Sequence, residues 1–381
     1  MWIDRRIIRY FDWQLFGGAA AISLLGLVVL YSAGYDPDTG DSALAWLPFT
    51  IHSMAFAKQT LFLLVGLCVM LVAMSLPMQR LYQAAYILYF ICLLLLALVL
   101  FSGSVSHGAR RWLSLGPLTF QPSEIMKMVL ILTLAHFLAR NPAPAGGYRL
   151  KNLILPFAIF GIPMALIMKQ PDLGTALSLG AVGFSMVLFV GIRWKTLVMM
   201  IFAGLVAIYP AWHHLHPYQQ KRVFALISPE EDPLGSGYHI IQSKIAVGSG
   251  GFAGKGFLKG TQSQLEFLPE HTTDFVFSVL AEEWGFIGCV PVLCLYLYLI
   301  YRMLRVVQRG RGVFSSLVVF GIGCLFFFNS VINIGMVIGL FPVVGIPLPL
   351  FSYGGTSVLS SMFALGIVLG ISTRRHLLVR G

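Results

Sequence analysis

The feature that most constrains this chain is a succession of apolar runs, each long enough to cross a bilayer as a helix. They lie near 15–33, 57–75, 81–101, 122–139, 152–168, 174–191, 196–212, 275–302, 314–340 and 350–371, and a helical crossing takes about 17–25 apolar residues. Hydrocarbon offers no water to backbone N–H and C=O groups, so such runs fold as helices. The sequence therefore specifies an all-α polytopic membrane protein with about ten transmembrane helices. A mean hydropathy of +0.83 with only 11% charged residues excludes a soluble domain of this size.

The basic residues orient the runs. With the N-terminus in the cytoplasm, 16 of the 26 Lys and Arg residues, from Arg5 to Arg380, fall in short inner loops where the only acids are Asp4 and Asp12. By the positive-inside rule both termini are cytoplasmic. Residues 213–273 then form a large extracytoplasmic loop between helices 7 and 8 of a single transmembrane domain, 1–381. The net charge of +11 is mostly accounted for by this topology, so no nucleic-acid partner is expected. Cys68, Cys92, Cys289, Cys294 and Cys324 fall inside the spans and are read as small apolar packing residues rather than disulfides. The first span is expected to act as an uncleaved signal-anchor.

Polar chemistry concentrates in the stretch Tyr209–Glu283. Glu266, Glu270, Asp274, Glu282 and Glu283 crowd into eighteen residues of a chain with 15 acids. Glu282 and Glu283 follow an apolar run directly, and a carboxylate entering hydrocarbon is a functional hypothesis by default. Lys58 opens the second span and either snorkels or meets a lipid phosphate. Arg110, Arg111 and Trp112 sit at the outer surface against the positive-inside bias, which suits a phosphate. Pro122-Ser123-Glu124 opens a helix that puts Glu124 and Lys127 on one face, as either a self-neutralising pair or a site. Pro171 breaks the next connection, leaving Asp172 to cap the sixth span, to contact substrate, or both. Gly235–Gly251 reads as an amphipathic helix ended by glycines, and Gly248–Gly260, with Lys255 and Lys259, as a connector or a weak phosphate cradle. His213, His214 and His216 are read as polar surface more readily than as a metal site. The glycines and prolines from Gly335 to Pro349 break the last two spans. Broken helices at membrane depth line polar cavities or are buried in protein, so a cavity is expected beside the tenth span.

Taken together, Arg111-Trp112, Gln121-Pro122-Ser123-Glu124, Lys169-Gln170-Pro171-Asp172-Leu173-Gly174, Gly235–Lys244, Leu268-Pro269-Glu270-His271-Thr272, Asp274-Phe275 and Phe351-Ser352-Tyr353-Gly354-Gly355 resemble the SEDS family (shape, elongation, division, sporulation) over essentially the whole chain. The doubled Thr272-Thr273 is a small departure from the pattern. The resemblance is closest to the elongation branch, with the division branch as the alternative. It implies a ten-helix peptidoglycan glycosyltransferase that polymerises lipid II at the outer face of the bacterial cytoplasmic membrane, beside a class B penicillin-binding protein. It makes Asp274 the essential outer-loop aspartate, and Glu124, Lys127, Asp172 and Lys58 further functional positions.

Such a polymerisation needs a base for the acceptor hydroxyl and cations for the departing diphosphate. One carboxylate suffices for an inverting displacement with a good leaving group. The expected roles are Asp274 as base, Glu124 and Asp172 as orienting acids, and Arg111, Lys58, Lys127 and Lys244 as diphosphate holders. No cofactor is specified; a divalent cation, Mg or Mn, would share the diphosphate charge, but the sequence has no dedicated metal site. The contrasting class is a lipid flippase or other transporter, which also has broken helices and intramembrane ion pairs.

Overall fold

The computed structural model describes residues 10–35, 53–106, 109–115, 118–214, 217–232, 235–265, 267–308 and 312–377. Among them are thirteen α-helices and one small sheet. Helices α1 (Trp13–Ala33), α2 (Met54–Ser75), α3 (Met78–Ser102), α4 (Pro122–Arg140), α5 (Leu150–Lys169) and α6 (Leu173–Val190) precede the long polar segment. The helices α11 (Val276–Gln308), α12 (Val313–Val337) and α13 (Gly355–Leu377) follow it. All nine are long and apolar enough to cross a membrane. The seventh expected span is α7 (Trp194–His214), whose apolar part, Trp194–Pro210, covers 17 residues and is shorter than the rest.

Helix α4 forms the hub. Mostly apolar on all sides, it is buried from Pro122 to Leu138, Ile125 excepted, among α3, α5, α6, α12 and α13. Lipid tails are as apolar as leucine, so helices associate here by close packing rather than by escaping water. Gly366 and Gly370 on α13 show how: a Cβ at either would stand 2.3 Å or 2.7 Å from the carbonyl oxygens of Met70 and Met74 on α2. That spacing is the small-xxx-small pattern of close helix pairs. At the end away from the polar segment, Asp12 caps α1 through Leu15 N–H (3.0 Å) and pairs with Arg302 of α11 at 2.8 Å.

The opposite end, called here the loop face, carries the irregular structure. A three-stranded antiparallel sheet, β1 (Ser104–Ser106), β2 (Ala109–Leu115) and β3 (Leu118–Phe120), leads from α3 into α4. Helices α8 (Pro217–Ile227), α9 (Ser236–Gly250) and α10 (Thr261–Gln264) form the segment between α7 and α11. The helix expected over Gly235–Gly251 is thus present as α9, and it packs on α11 and α12. Ser243 Oγ lies 2.9 Å from Ser278 Oγ and donates to the Val337 carbonyl at 2.7 Å.

Two breaks at the loop face are satisfied from within the protein, as membrane depth requires. The first lies inside α11, at Gly285 (φ 62°). The freed N–H groups of Phe286 and Ile287 donate to the carbonyls of Gly251 (3.0 Å) and Phe252 (3.1 Å). The freed carbonyls of Glu282 and Glu283 accept from Lys255 (3.0 Å) and Gly256 (2.9 Å). The glycine-rich loop is therefore spliced into the helix, as a connector would be. Gly254, at φ 78°, lies so close that a Cβ would fall 2.2 Å from the Glu283 carbonyl oxygen.

The second break is the segment between α12 and α13. Its prolines forbid a helix, and side chains take up its polar groups. Tyr296 donates to the Pro349 carbonyl (2.6 Å), and Gln59 both donates to Ser352 (2.9 Å) and accepts from Gly354 N–H (3.2 Å).

Candidate functional site

The loop-face end of the bundle opens into a cavity of about 1890 Å³. Its mouth is polar, lined by Arg111, Lys221, Arg222, Asp232, His239, Glu270 and Asp274. Its deep end runs between helices along Phe62 and Val69 of α2, Leu81 and Leu88 of α3, Met128 and Leu132 of α4, and Leu359 and Phe363 of α13. Between the two lie Glu124 and Ser360. A space polar at one end and apolar at the other fits an amphiphile with a charged head and a hydrocarbon tail. The cavity expected beside the tenth span is this one, since Val343–Gly345, Pro347 and Tyr353–Ser357 form one wall.

Asp274 stands at the mouth, one residue before the buried Phe275. Its turn is built around Glu270, a non-glycine residue at φ 55°. The Glu270 carbonyl accepts from Thr273 (3.1 Å), Asp274 (3.0 Å) and Phe275 (3.2 Å) N–H, which aims the aspartate into the cavity. Burial pushes the Asp274 carboxyl up to about 7; Glu270 adds to the rise, Arg111 opposes it, Asp172 adds and Arg222 opposes. A carboxylate with that value near neutral pH is matched to proton abstraction.

Arg111 reaches over from β2. Its guanidinium donates to the Pro171 carbonyl, and Nη1 stands 4.0 Å from Asp172 Oδ1. Asp172 caps α6 through Thr175 N–H (3.3 Å) and Oγ1 (2.9 Å) and also accepts from Gln121 Nε2 at 3.1 Å. The capping expected of it is present, and the same carboxylate anchors Gln121 and faces Arg111. One turn into α4, Lys127 Nζ pairs with Glu124 Oε1 at 2.7 Å, both residues being 4% exposed. Ser360 Oγ donates to Glu124 Oε2 at 3.1 Å.

Of the residues expected from the sequence, Asp274, Arg111 and Glu124 line the cavity. Lys127 and Asp172 sit directly behind that lining, each tied to it by hydrogen bonds. Lys58 and Lys244 are exposed and outside it. Lys221 and Arg222, paired on α8, and His239, stacked on Phe275 at 6.0 Å, line the cavity without having been singled out. The Lys-Arg dipeptide on a loop expected outside was the available signal; for His239 it was its place within the Gly235–Lys244 stretch. Burial holds His239 below its usual value, against the pull of Glu270. Glu282 and Glu283 are absent from the lining: Glu282 accepts from Lys255 Nζ (2.6 Å), Thr261 N–H (2.8 Å) and Gln262 N–H (3.1 Å), and Glu283 from Ser32 Oγ. Among the described residues no cluster of three His, Cys, Asp or Glu could hold a metal; His216 lies outside them.

Comparison with known proteins agrees with this architecture. Peptidoglycan glycosyltransferase MrdB of Escherichia coli is 45% identical over 315 residues, 82% of this chain and 84% of its own length. A solved peptidoglycan synthase complex, described as coordinating polymerization and crosslinking, superposes with a TM-score of 0.79 at 37% identity, covering 96% of this chain and 98% of its counterpart. The rod shape determining protein RodA of Thermus thermophilus does so with a TM-score of 0.70 at 32% identity and the same coverage. The cell cycle protein model of the FtsW, RodA and SpoVE proteins matches residues 12–377, from the Asp12 cap to the end of α13, and the chain belongs to that family.

Proposed function

We propose that this protein is the peptidoglycan glycosyltransferase of cell elongation, joining lipid II units into glycan strands. The observation that carries the reading is the Asp274 carboxyl, raised to about 7, at the mouth of a cavity that passes from cations to bare hydrocarbon. Asp274 takes the proton of the acceptor hydroxyl as that oxygen attacks the anomeric carbon of the donor; the polyprenyl diphosphate departs. Arg111, Lys221 and Arg222 face the growing charge at the mouth, and Glu124, paired with Lys127 behind it, meets the head where tail begins. The polyprenyl chain lies along the apolar walls of α2, α3, α4 and α13.

The cluster of basic loops at the end opposite the cavity supports cytoplasmic termini and an outward-facing site in the cytoplasmic membrane. A class B penicillin-binding protein as crosslinking partner is supported by the likeness to a synthase complex. A divalent cation, Mg or Mn, would ride on the diphosphate itself rather than in a protein cage.

The test is polymer formation from purified lipid II in liposomes holding this protein and its partner, with Asp274→Asn beside the unaltered chain. Polymer from the aspartate alone supports the reading. Polymer from both removes Asp274 as base, and transbilayer movement of lipid II without polymer replaces the transferase by a flippase.

A further inference from the structure

We propose that Asn333 is a positioning residue for Asp274, holding the reacting loop against the broken segment between α12 and α13. The inference rests on the reading of Asp274 as base. Asn333 lies on α12 and is fully buried. Its Nδ2 donates one hydrogen to the carbonyl of Asp274 at 2.8 Å and the other to the carbonyl of Ile346 at 2.7 Å. A primary amide has two N–H donors, so both are spent here. Its Oδ1 is buried with no partner among the described residues, which marks the donors as what the position requires.

The two carbonyls flank the same carboxylate. One is the backbone of Asp274 itself. The other belongs to Ile346, next to Gly345, and a Cβ at Gly345 would stand 3.3 Å from Asp274 Oδ2. One amide thus fixes both the residue that reacts and the wall it faces. Tyr353 N–H adds a second link, donating to the Thr272 carbonyl at 3.0 Å. Asn333 does not line the cavity, so it acts through Asp274 and the wall that Asp274 faces. Misplacing a reacting group by about 1 Å costs roughly 100-fold in rate.

The experiment compares Asn333→Ala, Asn333→Ser and Gly345→Ala with the unaltered chain in lipid II polymerisation, in liposomes with the partner, measuring kcat, KM and the pH profile per folded molecule. Asn333→Ala is expected to lower kcat about tenfold or more with KM changed less than about twofold. Asn333→Ser, keeping one donor, is expected to fall between. Loosening the loop hydrates Asp274 while Glu270, Asp172, Arg111 and Arg222 stay in place, so the rise of rate with pH shifts to lower pH. Gly345→Ala, which crowds Oδ2 and strains a backbone at φ 68° while leaving Asn333 intact, is expected to lower kcat as well and reports on the wall alone. Should Asn333→Ala not fold, Asn333→Ser decides by the same readouts. Unaltered kcat and pH profile in the folded Asn333 variants, with Asp274→Asn inactive, overturns the positioning role alone. Activity in Asp274→Asn overturns the base instead.

Discussion

Two pairs of acids, separated by a few residues of one segment, are used in opposite ways. Glu282 is fully buried, and Lys255, Thr261 and Gln262 all donate to its carboxylate. Together with Glu283 it fastens the glycine-rich loop into the break of α11. Asp274 and Glu270 sit on the cavity wall, where none of the described residues gives a hydrogen bond to the Asp274 carboxylate and the neighbouring acids raise it further. A carboxylate whose lone pairs are met by protein donors holds structure; one that burial destabilises and a cavity exposes to ligand is available for chemistry. Proximity to the membrane does not separate the two cases.

The largest expected effect comes from removing the reactive member. Asp274→Asn keeps the shape and is expected to lower polymerisation by about 10²- to 10⁴-fold, the range for loss of a general base. Stability should move the other way. An acid held at about 7 when folded binds protons that the unfolded chain releases above the ordinary carboxylate value, so folding loses stability as pH rises from about 4 to 7. The asparagine variant should therefore melt roughly 2–4 °C higher at pH 8 than the unaltered chain, a gain that shrinks towards pH 4. Thermal unfolding in detergent at the two pH values measures it, and equal melting at pH 8 would remove the strain assigned to Asp274.

The structural member should respond in reverse. Glu282→Ala strips Lys255 of its partner and leaves three donors without an acceptor; the expected loss is about 3–5 kcal/mol of stability. The surviving folded fraction should polymerise at the unaltered kcat. A kcat loss exceeding the loss of folded protein would move Glu282 into the site and collapse the comparison. Between the extremes stands the Glu124–Lys127 pair, buried like Glu282 but with Glu124 on the cavity wall like Asp274 and Lys127 directly behind it. Lys127→Met leaves Glu124 unpaired and should destabilise by roughly 3 kcal/mol, while the double change Glu124→Gln with Lys127→Met should recover most of that stability and none of the activity.

The spans were legible because a bilayer demands length and apolarity over a contiguous run, a signal that no tertiary contact is needed to read. The Asp172 cap was legible for the same reason, lying three residues before Thr175 after a proline. The different fates of Glu282 and Asp274 were not. Lys255 and Thr261 lie 27 and 21 residues before Glu282, and a glycine-rich run with a lysine reads equally as a connector or a phosphate loop until the break at Gly285 is seen. Asn333 carried no local mark either: an amide inside an apolar span gives no hint of which carbonyls it meets.

The smallest expected effects belong to Lys58 and Lys244, and they test where the site ends. Both are cations at the loop face, as Arg111 is, and charge alone would give all three the same role. Arg111 is held by the Pro171 carbonyl beside Asp172 and lines the cavity, whereas Lys244, exposed on α9, lies against Gly339 and Lys58 is exposed outside the lining. An exposed lysine in high dielectric contributes at most about 1 kcal/mol to a distant anion. Lys58→Ala and Lys244→Ala are thus expected to change KM for lipid II by less than about fivefold, with kcat unaltered, while Arg111→Ala raises KM by about tenfold or more. Steady-state polymerisation at low ionic strength, where screening is weakest, is the most demanding setting for the contrast. If Lys244→Ala matches Arg111→Ala there, the diphosphate rests towards α9, and the polar mouth extends past the wall that Asp274 and Glu270 define.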